Sequence, residues 1–422
     1  LWLGWLGGGL GRFAGLRCSV GRTAEEPIEE ELMPAPFHPD EYNRRLTSVR
    51  AAMDERQLDV LIIGDPANMN WLTGFDAWSF YVPQVMCVVP DGPPVWIGRE
   101  MDAGAVGLTT HLDVRSVVPY PEALVQRDDT HPSEFMASWL HDVGLGDKHI
   151  GYESDSYFFS PRALSGLQSG LPDARWSDAD RLVNWIRTVK SQVEVDILAQ
   201  AAAIAGHAMQ TAWDLVKPGG RQCDLAAEIM AAQIRGTEDF GGDQTAICPL
   251  ILAGEGATTA HPLWTDECFA KDQTVAFEIG GTRKRYKAGL ARTVHLGKPP
   301  VKLTQTLSAV NEGLDAVLGV LKAGVTAGTV HRAWQDVLDL YGLEKPSRIG
   351  YSIGVGYPPD WGERTISLRA DEQTTIPQDA VLHVMLGMWL DGWGMEMSET
   401  VHITSTGCKC LTHFPRELHI VD

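Results

Sequence analysis

Glu278 ends an apolar strand candidate in the segment 277–297 (FEIGGTRKRYKAGLARTVHLG), and an Arg292-Thr293 strand candidate follows across a basic connection. A carboxylate so placed can act as a nucleophile or a general base. With Arg283, Lys284, Arg285 and Lys287 close in sequence, it can equally be an ion-paired or solvated group. Further along, Glu396 and Glu399 bracket Ser398 in GMEMSETV. The two-residue repeat of a strand puts Glu396 and Ser398 on one face and Glu399 on the other, so a pocket on either face receives only one of the glutamates. His261, in ATTAHPLW, offers an imidazole for proton transfer. Arg364 offers a planar fork for a carboxylate, and Trp78, Phe80 and Tyr81 in FDAWSFYVP offer π faces for a cation. The ordinary alternatives are a loop histidine, a surface arginine, and hydrophobic core or a subunit interface.

The elements that must position these groups fall into two series. Helical spacing over 38–57 leads into a buried strand in LDVLIIGDPANMNWLTG. Strand candidates QVMCVVP, PVWIG and HIGYE, with helical segments near 99–108 and 132–143 between them, read as a layered α/β sheet. Near Arg181 a proline-free run, VNWIRTVKSQVEVDILAQAAAIAGHAMQTAWDLV, reads as one long helix halted by Lys217-Pro218-Gly219-Gly220. A domain boundary is therefore expected at about residue 188, with an α/β domain over 33–187 and an α+β domain over 188–422. The second contains helices at 223–235, 304–323 and 329–341 and strands at 274–279, 290–296, 380–388 and 395–404. In the 329–341 helix, Val330, Trp334, Val337, Leu338 and Tyr341 share a face suited to the core, and Gly342 stands at the cap position. Residues 1–32, Gly-rich and then acidic, are expected to be a non-native or disordered extension, with Met33 the natural start.

Fifty-five acidic against 35 basic residues give a formal charge of -20, which disfavours nucleic acid and anionic membrane surfaces as partners. No segment approaches the roughly 20 continuous apolar residues of a membrane span. Seven cysteines, odd in number and scattered without zinc spacing, fit a reducing cytoplasm.

The 277–297 segment resembles the metal-binding hairpin of the creatinase/aminopeptidase ("pita-bread") family, where Asp-x-Gly is followed by a second Asp that leads into a Thr-Arg-Thr strand. Those positions hold Glu278, Gly280, Gly289 and Ala291-Arg292-Thr293 here. The family's metal-binding His falls at Tyr351 and its two Glu at Met385 and Ser398, so none of the metal positions keeps its residue. Such a set supplies little ligand charge for two dications. The resemblance thus implies the metal-free creatinase branch, which hydrolyses C–N bonds with His and carboxylate side chains and needs no cofactor. Within it, the segments 36–53, 65–84, 95–103, 240–243, 290–300 and 356–369 are similar to the ectoine hydrolases. Residues 280–293, the 244–264 loop and Met385-Leu386-Gly387 depart from that pattern.

What the resemblance implies is an α/β N-terminal domain before a pita-bread catalytic domain, acting on a small cyclic amidine. Ectoine would be opened to N-acetyl-2,4-diaminobutyrate. Glu278 would attack the amidine carbon or activate water, and His261, where the family places an active-site His, would transfer protons beside Glu396 and Glu399. Phe75, Trp78, Phe80, Tyr81, Tyr286, Tyr351, Trp361, Arg364 and Trp389 would contact substrate, Arg364 at its carboxylate. A homodimer is implied, with the N-terminal segment reaching the neighbouring active site. Another amidine or guanidine substrate, or a catalytically inactive binding protein on the same scaffold, remain the alternatives.

Overall fold

In a computed structural model, which describes residues 35–422, the expected strands gather into two sheets. The expectations for residues 1–32 lie outside the described residues. The first sheet contains β1 (Val60–Ile63), β2 (Val85–Val88), β3 (Val95–Arg99), β4 (Val117–Tyr120), β5 (His149–Tyr152) and β6 (Arg175–Asp178), in the order β4-β3-β2-β1-β5-β6. Its centre is the run VLII, buried at every position, as a strand covered on both faces must be. β1 runs antiparallel to β2 and parallel to β5. Directly after it, the Asp65 side chain caps the helix Pro66–Thr73, which Gly74 ends in a left-handed conformation.

The run expected to form one long helix is two. Leu182–Arg187 stops, and Gln192–Leu215 starts afresh behind a capping box in which Ser191 and Glu194 satisfy each other's backbone amides. Hydropathy spacing does not register that interruption, because Ser191 and Glu194 suit a helix interior and a helix start alike. The helix Gln192–Leu215 packs across the second sheet, mainly on its central hairpin.

That sheet contains β7 (Leu250–Ala253), β8 (Gln273–Arg283), β9 (Tyr286–Leu296), β10 (Gly350–Tyr357), β11 (Asp360–Ser367), β12 (Val381–Leu390), β13 (Trp393–Ile403), β14 (Cys408–Cys410) and β15 (His419–Val421). Its main path is β14-β13-β12-β10-β9-β8-β7, with β11 on β10 and β15 on β9. The β8–β9 hairpin is longer than the apolar runs suggested, because polar residues continue the ladder to Arg283↔Tyr286. Lys284 and Arg285 close it with positive φ (47° and 66°), the sense that matches strand twist in two-residue hairpins. On the helix Ala327–Tyr341 the expected face holds at Val330, Trp334 and Leu338, while Tyr341 is exposed; Gly342 takes the left-handed cap.

The two sheets meet through buried polar side chains. Glu194 accepts hydrogen bonds from Trp71 Nε1 and Tyr286 Oη, both at 2.9 Å, and Arg45 donates to the Trp71 carbonyl at 2.5 Å. Nearby, Glu363 accepts from Lys190 at 2.6 Å and lies 3.4 Å from Arg187. These acids are matched by donors at close range, which is what burial of a charge requires.

Candidate active site

Strand alternation brings Glu278 of β8, Tyr351 of β10, His383 and Met385 of β12, and Glu396 and Ser398 of β13 to one region of the second sheet. Glu278, Tyr351, Trp361, Arg364, Met385 and Trp389 line a cavity of about 580 Å³. His261 stands exposed on a loop at the same cavity. Trp361 Nε1 donates to Tyr351 Oη at 2.7 Å, leaving the phenol its own proton to donate. Glu396 is fully buried, and neither of its carboxylate oxygens has a hydrogen-bond partner among the described residues.

His383, which the sequence did not single out, lies in the same region. It is fully buried, with Nε2 2.7 Å from Ser398 Oγ and Nδ1 3.4 Å from Tyr351 Oη and 3.9 Å from Glu278 Oε1. Ser398 Oγ accepts the Ala291 amide at 2.6 Å, so its hydroxyl proton is free for Nε2. That arrangement leaves the ring proton on Nδ1, facing Tyr351 and Glu278. A signal was present: position 383 precedes Met385 by two residues, so alternation places both on one face.

The ring also explains a glycine. A Cβ on Gly289 would lie 2.7–2.9 Å from the His383 ring atoms, so the imidazole fills the space beside the position where the metallopeptidase pattern has its second Asp. Of the remaining metal positions, Met385 and Tyr351 are poor ligands for a hard dication, and Ser398 Oγ is already engaged. Among the described residues no group of three or more His, Cys, Asp or Glu is arranged to hold a metal ion. The residues present do not fit the dinuclear centre of the resembling hairpin.

Burial governs the electrostatics. It pushes the Glu278 carboxyl up to about 7. Glu396 rises well above the usual carboxylate range, through burial first and then the charge of Glu278, with Lys345 opposing. His383 is pushed down to about 3 by burial and then by Arg348, so it stays neutral. Burial and then the charge of Glu278 raise the Tyr351 phenol, keeping it protonated. Burial raises both acids, and the charge of Glu278 raises Glu396 further, a condition that can separate an acid from a base within one site.

Other candidates lie elsewhere. Phe75 is in the first sheet's core against Trp96, their ring centroids 5.8 Å apart. Tyr286 is buried between the sheets on Glu194 and Arg45. Glu399 points to the face opposite Glu396 and is bound by Arg292 at 2.7 Å, Arg416 at 2.9 Å and the Thr412 hydroxyl. Trp78, Phe80 and Tyr81 line a different cavity of about 350 Å³ with Arg127, Tyr157 and Arg162; Phe80 and Tyr81 are 70% and 69% exposed. Arg364 does reach the first cavity, but its guanidinium is 2.8 Å from Asp65, also contacts Asp155 and covers Tyr157.

Comparison with known proteins agrees with this architecture. Residues 45–189 match the creatinase/prolidase N-terminal domain, and residues 196–405 match metallopeptidase family M24. Ectoine hydrolase of Halomonas elongata is 40% identical over 392 residues, covering 91% of this chain and 98% of that protein. An uncharacterized hydrolase/peptidase of Sinorhizobium fredii is 38% identical, covering 92% and 99%. Among solved structures, a prolidase from Thermococcus sibiricus superimposes with a TM-score of 0.79 at 17% identity, covering 90% of this chain and 99% of that one. The last likeness speaks to fold alone; with the relatives above it, the chain belongs to the creatinase-like members of family M24.

Proposed function

We propose that this hydrolase opens the ring of ectoine to N-acetyl-2,4-diaminobutyrate without a metal ion. The 40% identity to an ectoine hydrolase across nearly the whole chain supports the substrate. The observation that carries the mechanism is the placing of buried Glu278 beside the Tyr351 hydroxyl and a neutral His383 whose ring crowds the Gly289 position.

Ectoine carries a carboxylate and an amidinium whose central carbon is electrophilic. Ionised Glu278 either adds to that carbon or takes the proton of a water that adds there. Tyr351 and His383 Nδ1 present N–H and O–H groups on the same side of Glu278, suited to charge that builds up on the added oxygen. Collapse breaks one ring C–N bond, and the departing nitrogen receives a proton held by Glu396 or carried by His261 at the cavity edge. Where Glu278 has added, water then attacks the same carbon and releases the carboxylate, so on either route the balance is one water added and one ring C–N bond broken. The aromatic walls of Tyr351, Trp361 and Trp389 suit a flat cation. The same reading includes a cytoplasmic homodimer with domains at 33–187 and 188–422, in which exposed Phe80 and Tyr81 reach the neighbouring cavity. No helix among the described residues is long and apolar enough to cross a membrane.

The test is chelator-treated protein with ectoine followed by proton NMR, with creatine and a prolyl dipeptide in parallel. N-acetyl-diaminobutyrate forming without added metal is the expected result. Conversion only of another substrate, or only after metal is restored, overturns the corresponding half of the proposal.

A further inference from the structure

We propose that Arg348 anchors the substrate carboxylate, and thereby makes the cavity select carboxylated amidines over amidines that lack this group. The inference rests on the ectoine reading above and assigns the anionic end of that substrate to a residue that the sequence did not single out.

Four arginines line the cavity: Arg181, Arg348, Arg364 and Arg369. Three are engaged. Arg181 donates to the Arg364 carbonyl at 2.6 Å and lies 3.5 Å from Asp180. Arg364 is held by Asp65 and Asp155, and Arg369 pairs with Glu372 at 3.1 Å. Arg348 alone of the four has neither an ion pair nor a side-chain hydrogen bond among the described residues. Its guanidinium carbon lies 4.3 Å from the centroid of the Tyr351 ring, on the residue whose hydroxyl is 3.4 Å from His383.

The backbone beneath Arg348 is fixed. Ile349 is fully buried and donates to the Leu368 carbonyl at 2.8 Å, while its own carbonyl accepts from Met385 at 2.9 Å. On the other side, buried Lys345 donates to the Gly387 carbonyl at 2.7 Å and to Ser347 at 2.9 Å. An exposed guanidinium on rigid backbone, stacked but unpaired, is preorganised for a bidentate carboxylate. The cavity wall also carries Glu278, Asp155 and Asp360. These acids favour the amidinium but repel a carboxylate, so a substrate bearing both groups needs one uncommitted cation.

The experiment compares wild type with Arg348→Met and Arg364→Met, using ectoine and the same ring lacking its carboxylate. For Arg348→Met, KM for ectoine should rise on the order of 10- to 100-fold, the worth of a charge-assisted pair, with kcat changed far less. The constants for the decarboxylated ring should change far less than KM for ectoine, and Arg348→Lys should recover part of the loss. Arg364→Met should keep the preference for the carboxylated ring. An unchanged preference in Arg348→Met, or its loss in Arg364→Met instead, overturns the anchor and leaves ectoine as substrate. A wild type that does not turn over ectoine overturns the substrate reading, and the anchor with it.

Discussion

Glu396 and Glu399 stand three positions apart on β13, both essentially excluded from water, and their surroundings are opposite. Glu399 has two arginines and a hydroxyl on its carboxylate. Among the described residues Glu396 has no hydrogen-bond partner, and Glu278 is close enough to repel it. The protein is thus able to neutralise a buried acid on this strand and does so on one face only. A buried carboxylate without a partner costs stability, and this one is on the strand face that carries Ser398, where the proposed chemistry would use it. Pairing distinguishes scaffold from site here better than burial or residue type does.

The largest effect should come from the unpaired face. Glu278→Gln keeps the shape and removes the base, so kcat for ring opening should fall on the order of 10²- to 10⁴-fold while the unfolding midpoint does not drop. Retained turnover would remove Glu278 from the mechanism. On the paired face the expectation inverts. Glu399→Ala leaves Arg292 buried without its partner and should destabilise by about 3–5 kcal/mol, read by denaturant unfolding, with kcat per folded molecule little changed. A loss of kcat without loss of stability would show that Glu399 belongs to the site after all.

The two glutamates also show how far the sequence could be read. Two-residue alternation on the 395–404 strand separates them correctly, and it needs no structure. Which face is the cavity depends on partners far away in sequence: Arg292 comes from β9 and Arg416 from the C-terminal segment. Composition near Glu278 suggested ion pairing with the basic residues of the hairpin turn, yet Arg283 and Arg285 turn to Gln200, Gly241 and Asp76. Phe75 and Tyr286, which the resemblance implies at the substrate, are buried in packing, Phe75 against Trp96 and Tyr286 on Glu194. The metal pattern points to Met385 and carries no signal for His383, its neighbour on the same face. Local periodicity carried the elements, whereas the polar pairing that defines the site is a property of the assembled sheet.

Acidity provides a smaller and reversible version of the contrast. The folded carboxyl of Glu278 titrates near 7 against an ordinary value of 4.5, so its protonated form is favoured by folding. The associated stability is fully present below about pH 4.5 and is lost as pH rises through about 7. From pH 5 to 8.5 the wild type should lose on the order of 2–3 kcal/mol relative to Glu278→Gln, measured by paired denaturant titrations. Turnover should move the other way, rising as Glu278 ionises through neutrality. His383 adds no limb in that range, since its imidazole titrates near 3. Parallel pH curves for the two proteins would place the ionisation on another group.

The smallest effect tests why the face is unpaired at all. If the imidazole of His383 occupies the space beside position 289, then Gly289→Ala must displace the ring, since its Cβ would sit 2.7 Å from Cε1. The displacement strains the 2.7 Å contact with Ser398 and should cost about 1–3 kcal/mol, the usual range for overpacking. It should also reduce kcat by tilting Nδ1 away from Tyr351 and Glu278. The cost should shrink when His383→Ala is already present, because two residues that compete for one space are not additive. An additive double mutant would mean that the ring and the glycine are independent, and that the unpaired face owes nothing to the exchange of an aspartate position for a histidine.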